Sequence, residues 1–256
     1  MNIAVLVKWV PEPQGTPRLG EDRLLVRDGA DGALDPGDEY GLERALQLVE
    51  RDDGQVVLVS MGPDVAVGAV QRGLAMGATR GVLVTDDSLR GADTVVTARV
   101  LAAAIGSIGP VDMILAAVES TDGYTGTLPV TIAELLGLPS VTFATSLDVE
   151  GGELRAERQT SAGTEIVACP MPALVTVTTG VAEPRYPSLK GVMGAKSKPI
   201  ERPSLADLGL DVDATRSTQT VASVEAAPAK TGGRVIDAGP EAAGEIADLL
   251  AEARVI

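Results

Sequence analysis

Histidine does not occur in this sequence of 256 residues. Its absence removes the commonest general base and the commonest metal ligand, and with them every His-based nucleophilic triad. Cysteine occurs once, at Cys169. An internal disulfide is therefore impossible, which fits a reducing compartment and an expected cytoplasmic location. Aromatic residues make up only 2% of the chain, so the core must be assembled from Val, Leu, Ile and Ala. No apolar run reaches the ~18 residues of a membrane span, and no membrane insertion is expected. Basic residues are outnumbered, with 21 Lys and Arg against 36 Asp and Glu and a formal charge of −15. That balance argues against nucleic acid as the main partner. A Walker motif and a strict G-x-G-x-x-G are also missing, which leaves ordinary NTPase and dinucleotide readings with little support. A hydrolase or ligase using ATP would carry a Gly-rich loop with Ser after its first strand; Trp9-Val10-Pro11 stands there instead.

What is present is a rhythm of strands and helices. The length allows one large domain or two. Asn2 to Val10 is a near-continuous apolar run that leads straight from Met1, reading as a buried strand rather than a signal peptide. Pro11 to Asp35 is a long polar connection. Asp35-Pro36-Gly37-Asp38 then opens a helix with Leu42, Ala45, Leu46 and Val49 on one face. Strands are expected at Gln55 to Met61, Gly81 to Thr85 and Met113 to Val118. Helices are expected over Pro63 to Met76, after Asp93, and over Thr125 to Leu136. This alternation is the signature of βαβ units: an α/β fold, mainly parallel, with helices on both faces. After Gly137 come strand-like runs at Val141 to Ala144, Leu154 to Gln159, Glu165 to Cys169 and Ala173 to Thr178, without helices between them. They add one or two antiparallel strands at the sheet edge. Residues 1–200 form the expected core. Residues 201–256 form a C-terminal arm, low in apolar density until Val235 and closed by a helix with Ile246, Leu249, Leu250 and Ala253 on one face. The arm either docks on another chain or folds back on its own domain.

In an open parallel sheet a ligand lies beyond the C-terminal strand ends, where the strand order reverses. Four connections meet there: Val7-Lys8-Trp9, Asp35 to Asp38, Ser60-Met61-Gly62 and Glu119 to Thr127. The last, ESTDGYTGT, suits a phosphate. Gly123 and Gly126 allow close backbone approach, Thr125 and Thr127 bring hydroxyls, and the helix behind brings unpaired N–H groups. An ordinary helix start capped by Thr or Asp reads the same way.

Residues 183–199, EPRYPSLKGVMGAKSKP, differ from everything before them. They are basic, with Arg185, Lys190, Lys196 and Lys198, and broken by Pro184, Pro187 and Pro199, which disfavour helix nearby. They read as a surface loop that presents something.

The run PALVTVTTGVAEPRYPSLKGVMGAKSKPIE, Pro172 to Glu201, resembles the signature of the electron transfer flavoprotein beta subunit, and a weaker likeness runs from Met1 to the last helix. The resemblance implies a carrier without acid–base catalytic residues of its own, paired with an alpha subunit onto which the arm docks. It implies AMP in the crevice, at Leu6, Asp35, Pro36, Gly37, Asp38, Met61, Ala117, Val118, Glu119, Ser120, Thr121, Asp122, Gly123, Tyr124 and Thr125. The backbone of Leu6 and Met61 would frame the adenine. Gly123, Tyr124 and Thr125 would hold the phosphate, with Lys8 nearby. It implies FAD bound mainly by the alpha subunit, with Pro11 to Pro13 and Gly37 to Tyr40 of this chain nearest the flavin. It makes 183–199 a recognition loop, with Leu189 anchoring acyl-CoA dehydrogenases and related partners, flanked by Tyr186 and Met193, while the basic residues steer them. Electrons would pass on to the electron transfer flavoprotein-quinone oxidoreductase, as in fatty acid oxidation. Two alternatives stay open: a bifurcating relative with a second FAD in the AMP site, and a stand-alone adenine-nucleotide-binding stress or signalling domain.

Overall fold

The computed structural model describes residues 1–12, 15–27, 31–211, 213, 215–225 and 233–256. The chain divides into two units, Met1–Val221 and Ala222–Ile256.

The first unit is built on a nine-stranded sheet in the order β11-β5-β4-β1-β6-β10-β7-β8-β9. Within it β1 (Asn2–Leu6) is flanked in parallel by β4 (Gln55–Met61) and β6 (Met113–Ala117). These strands are buried on both faces, as continuous Val, Leu and Ile runs require. Outside β4 lies β5 (Arg80–Val84), also parallel. Helices α1 (Pro36–Asp52) and α2 (Val67–Met76) pack on one face of the sheet, around Leu42, Leu46, Leu58 and Leu74. Helices α3 (Thr94–Ser107) and α4 (Leu128–Leu136) cover the other, around Val57, Val100, Ile105 and Ile132. The α/β class and the parallel sheet covered on both faces are therefore as the hydrophobic rhythm predicts.

The expected strand from Asn2 to Val10 is broken. Val7 N–H still donates to the Val59 carbonyl of β4 at 3.0 Å, but Lys8 N–H turns away and donates to Asp38 Oδ2 at 2.8 Å. Trp9–Pro11 (β2) turns away to pair antiparallel with Gly32–Leu34 (β3). The indole of Trp9 requires glycine on two sides, since a Cβ at Gly32 or Gly68 would come within 2.6 or 2.5 Å of the ring.

After α4 the chain runs β7 (Ser140–Glu150), β8 (Glu153–Thr160) and β9 (Gly163–Pro170) as antiparallel neighbours. Gly151 and Gly152, at φ +61° and +84°, make the tight β7–β8 turn that residues with side chains resist. Then β10 (Ala173–Val177) inserts between β6 and β7, parallel to both.

Residues 183–199 hold a helix where a loop is expected. Leu189–Ala195 forms α5, N-capped by Ser188, whose Oγ accepts the Gly191 N–H at 3.0 Å. Pro184 and Pro187 precede this helix and Pro199 follows it, so the prolines bracket it rather than break it. Ile200–Glu201 (β11) then adds a parallel edge strand to β5. The first unit continues past this point: Leu205 is buried in the α3 side of the core, and Thr218 N–H donates to Asp93 Oδ2, at the cap of α3. The second unit contains α6 (Ala242–Glu252), with Ile246, Leu249 and Leu250 exposed along it. No described helix is long and apolar enough to cross a membrane, and no described His, Cys, Asp or Glu cluster could hold a metal.

Candidate functional site

Strand order reverses at β1. The chain moves outward through β4 and β5, then returns to lay β6 on the other side of β1. A crevice therefore opens at the C-terminal ends of β1 and β6. Val7 and Lys8 leave one strand there, and Val118 to Thr127 leave the other.

Lys8 bridges the two. Its carbonyl accepts the Asp35 N–H at 2.9 Å. Its ammonium donates to Ser120 Oγ at 3.0 Å and Asp122 Oδ1 at 2.6 Å. Arg27 reaches the other oxygen of Asp122. Burial pushes the Asp122 carboxyl up, but Lys8 and Arg27 outweigh it and hold the carboxyl below the usual carboxylate range. Two cations therefore converge on this one carboxylate, which fixes the loop against the end of β1.

Asp35 ties the start of α1 to the same loop. It is fully buried with both oxygens engaged. Oδ1 accepts the Gly37 N–H at 2.9 Å, and Oδ2 accepts the Thr121 N–H at 2.7 Å and its hydroxyl at 3.1 Å. Asp38 is also buried. Its carboxyl is pushed well above the usual range, first by burial and then by the charge of Asp35. Gly37 lets this turn sit on the end of β6: an added Cβ would lie 3.1 Å from that of Ala117. Pro36 is exposed beside it.

The loop itself is tightly turned. The N–H groups of Gly123 and Tyr124 donate to the Ser120 carbonyl at 3.3 and 3.0 Å. Tyr124 is left-handed at φ 47° and projects its ring outward. Thr125 and Glu119 are exposed on the same loop. Helix α4 begins at Leu128 rather than at Thr125 and has no side-chain cap. The N–H groups of its first turn and the positive end of its dipole thus lie next to the loop. Leu6 is buried and can offer only its backbone, while half-buried Met61 ends β4 without a polar link to the loop. Cations, a bent glycine loop and an uncapped helix start fit a phosphate group. Of the residues expected nearest a flavin, Gly37 to Tyr40 lie in the first turns of α1, and Pro13 lies outside the described residues.

A second surface stands apart from the crevice. On and beside α5, Tyr186, Leu189 and Met193 are 90%, 78% and 69% exposed. Val192, not foreseen from the sequence, joins them. Leu189, Val192 and Met193 are spaced i, i+3 and i+4 along one face of α5, and Tyr186 precedes the helix. The four cations of this segment divide. Arg185 and Lys198 make contacts with the body of the unit, while Lys190 and Lys196 are exposed.

Residues 22–208 match the model of the electron transfer flavoprotein domain, a range that takes in both the loop after β6 and α5. The chain belongs to the electron transfer flavoprotein beta-subunit family. The electron transfer flavoprotein subunit beta of Mycobacterium tuberculosis (strain ATCC 25618 / H37Rv) is 36% identical over 264 residues, spanning 100% of this chain and 99% of the relative. That of Bacillus subtilis (strain 168) is 37% identical over 260 residues, with both chains fully covered. The caffeyl-CoA reductase-Etf complex subunit CarD of Acetobacterium woodii is 33% identical over 263 residues, again fully covered on both sides. With the beta-subunit family comes a role in electron transfer.

Within this beta-subunit fold, the expected site residues Asp35, Gly37, Asp38, Ala117, Ser120, Thr121 and Asp122 are drawn together by Lys8 and by the capping bonds of Asp35. Arg27 was not foreseen. It lies in the long connection after β2, where no periodicity marks a residue that acts across the chain.

Proposed function

We propose that this chain is the beta subunit of a heterodimeric carrier that takes electrons from flavin dehydrogenases, acyl-CoA dehydrogenases among them, and passes them to a membrane quinone reductase. The observation that carries the reading is the exposed apolar face of α5 in a chain of this family. A bare leucine ringed by Tyr186, Val192 and Met193, with Lys190 and Lys196 beside it, has the anatomy of a small transient interface for an acidic, pocketed partner.

AMP is the resident nucleotide in this reading. Lys8, Arg27, the backbone from Gly123 to Thr125 and the start of α4 would hold its phosphate. The backbone of Leu6 and Met61 would border its base. FAD, bound mainly by the alpha subunit, supplies the electron-accepting chemistry when present. Gly37 to Tyr40 would help to shield it from water, and α6 would dock on the alpha subunit through Ile246, Leu249 and Leu250. The same residues would take the adenylate half of a second FAD, which is the bifurcating alternative.

Leu189→Ala tests the docking role. It should slow electron transfer from a reduced acyl-CoA dehydrogenase by about tenfold or more, the loss typical of an interface anchor. Flavin and AMP content should be unchanged. Unaltered reduction kinetics, or loss of bound nucleotide, would remove Leu189 from that role.

A further inference from the structure

The segment bearing the docking face is fastened to the first unit at three points. Arg185 forks onto two carboxylates of α1. Nε and Nη2 donate to Glu43 at 2.7 and 2.9 Å, and Nη1 and Nη2 donate to Glu50 at 2.5 and 3.1 Å. Its backbone N–H also donates to Glu43 Oε2 at 3.2 Å, and the Glu43 side chain is buried. Gly191 is the second point. A Cβ there would lie 2.3 Å from the carbonyl oxygen of Ala75, so α5 meets the last turn of α2 backbone to backbone. At the third, the Lys198 ammonium donates to the carbonyls of Leu74 and Ala78 at 2.9 and 2.6 Å, satisfying acceptors at the C-terminal end of α2. Between these points Ala195 is buried, while Leu189, Val192 and Met193 face outward.

We propose that Arg185, Gly191 and Lys198 are positioning residues that keep the docking face preformed, so that a partner meets Leu189 in a fixed place. This rests on the reading of α5 as the docking site. A helix of seven residues cannot hold itself in water. Without its fastenings it would have to be ordered by each partner, at the partner's expense in affinity. The cations of the segment then have two distinct jobs. Arg185 and Lys198 hold geometry, whereas exposed Lys190 and Lys196 act through charge on the encounter rate.

Arg185→Lys separates these jobs, because it keeps the charge and loses the fork. The variants are made in the full complex with the alpha subunit and flavin. The partner is an acyl-CoA dehydrogenase reduced by its own acyl-CoA, assayed across a series of ionic strengths. Arg185→Lys and Gly191→Ala should raise KM for the partner about tenfold with kcat little changed, the mark of lost preorganisation. Amide hydrogen exchange across 188–196 should quicken in the free complex, while the salt dependence of association stays as in wild type. Lys190→Gln with Lys196→Gln should do the reverse, flattening the salt dependence and leaving exchange alone. Wild-type KM and exchange in Arg185→Lys would overturn the proposal, whether or not Gly191→Ala assembles. Failure of the docking reading looks different: Leu189→Ala would then leave KM untouched, while the exchange data, which need no partner, would still report on the fastening.

Discussion

Removing the carboxylate of Asp35 should loosen the nucleotide crevice from inside. Asp35 caps α1 through Gly37 N–H and holds the loop after β6 through Thr121. In Asp35→Ala the lost cap costs about 1 kcal/mol. The partly buried Thr121 N–H and hydroxyl, left without their acceptor, cost roughly 1–3 kcal/mol more. Part is returned, because the charge that helps to raise the Asp38 carboxyl is gone. A net loss of about 1.5–3 kcal/mol corresponds to a fall in Tm of roughly 3–12 °C for a chain of this size. Asp35→Asn should fall between. It keeps an acceptor for Gly37 but turns an amide donor toward the Thr121 donor. Thermal melts of the three proteins and amide exchange at Thr121 provide the assay. An Asp35→Ala protein melting within about 2 °C of wild type, the range of an ordinary surface change, would refute the reasoning. So would unchanged protection of Thr121.

Asp38 should give an opposite, pH-dependent result. Burial and then Asp35 raise its folded pKa, so the stability it contributes is complete below the unfolded carboxylate pKa of about 4 and is lost as pH rises through the folded value. Asp38→Asn stays neutral and keeps an acceptor for Lys8 N–H, so it should melt above wild type at pH 7, with the gap closing toward pH 4; a gap independent of pH would contradict this. Asp122 runs the other way. Its folded pKa is held low, so its contribution is present above about pH 4 and lost on acidification through the folded value. Lys8→Met removes charge-assisted bonds to the loop. It should weaken AMP binding to the nucleotide-stripped complex by roughly 10- to 100-fold, read by titration calorimetry and by fluorescence of Trp9, the one tryptophan of this chain. Wild-type affinity would take Lys8 out of the site.

The alternating architecture was readable because buried parallel strands must be apolar throughout and their helices must carry a 3.6-residue stripe. Val56–Val59 and Ile114–Ala116 follow the first rule, and Leu42, Ala45 and Leu46 follow the second. The break after Leu6 was not readable. Val7 and Val10 look like more strand, and only the distant Asp38, Gly32 and Gly68 turn the backbone and seat Trp9. Helix α5 was hidden for a related reason. Proline and glycine dominate its surroundings, its period spans only seven residues, and its support comes from α1 and α2. The crevice residues on the four connections were legible as loops at strand ends. The pairing of Lys8 and Arg27 on Asp122 was not, since electrostatics between remote positions leave no pattern in sequence. The insertion of β10 between β6 and β7 is likewise a nonlocal pairing that its own residues do not announce.

The most direct test of the proposed carrier is its nucleotide content. The chain, tagged and purified from its native host with whatever accompanies it, would be denatured and its flavins and adenine nucleotides quantified by chromatography. One FAD and one AMP per pair of unlike subunits is the predicted result. Two FAD with no AMP would contradict the AMP site and favour bifurcation. A chain that purifies alone, with ATP or nothing bound, would contradict the paired carrier altogether.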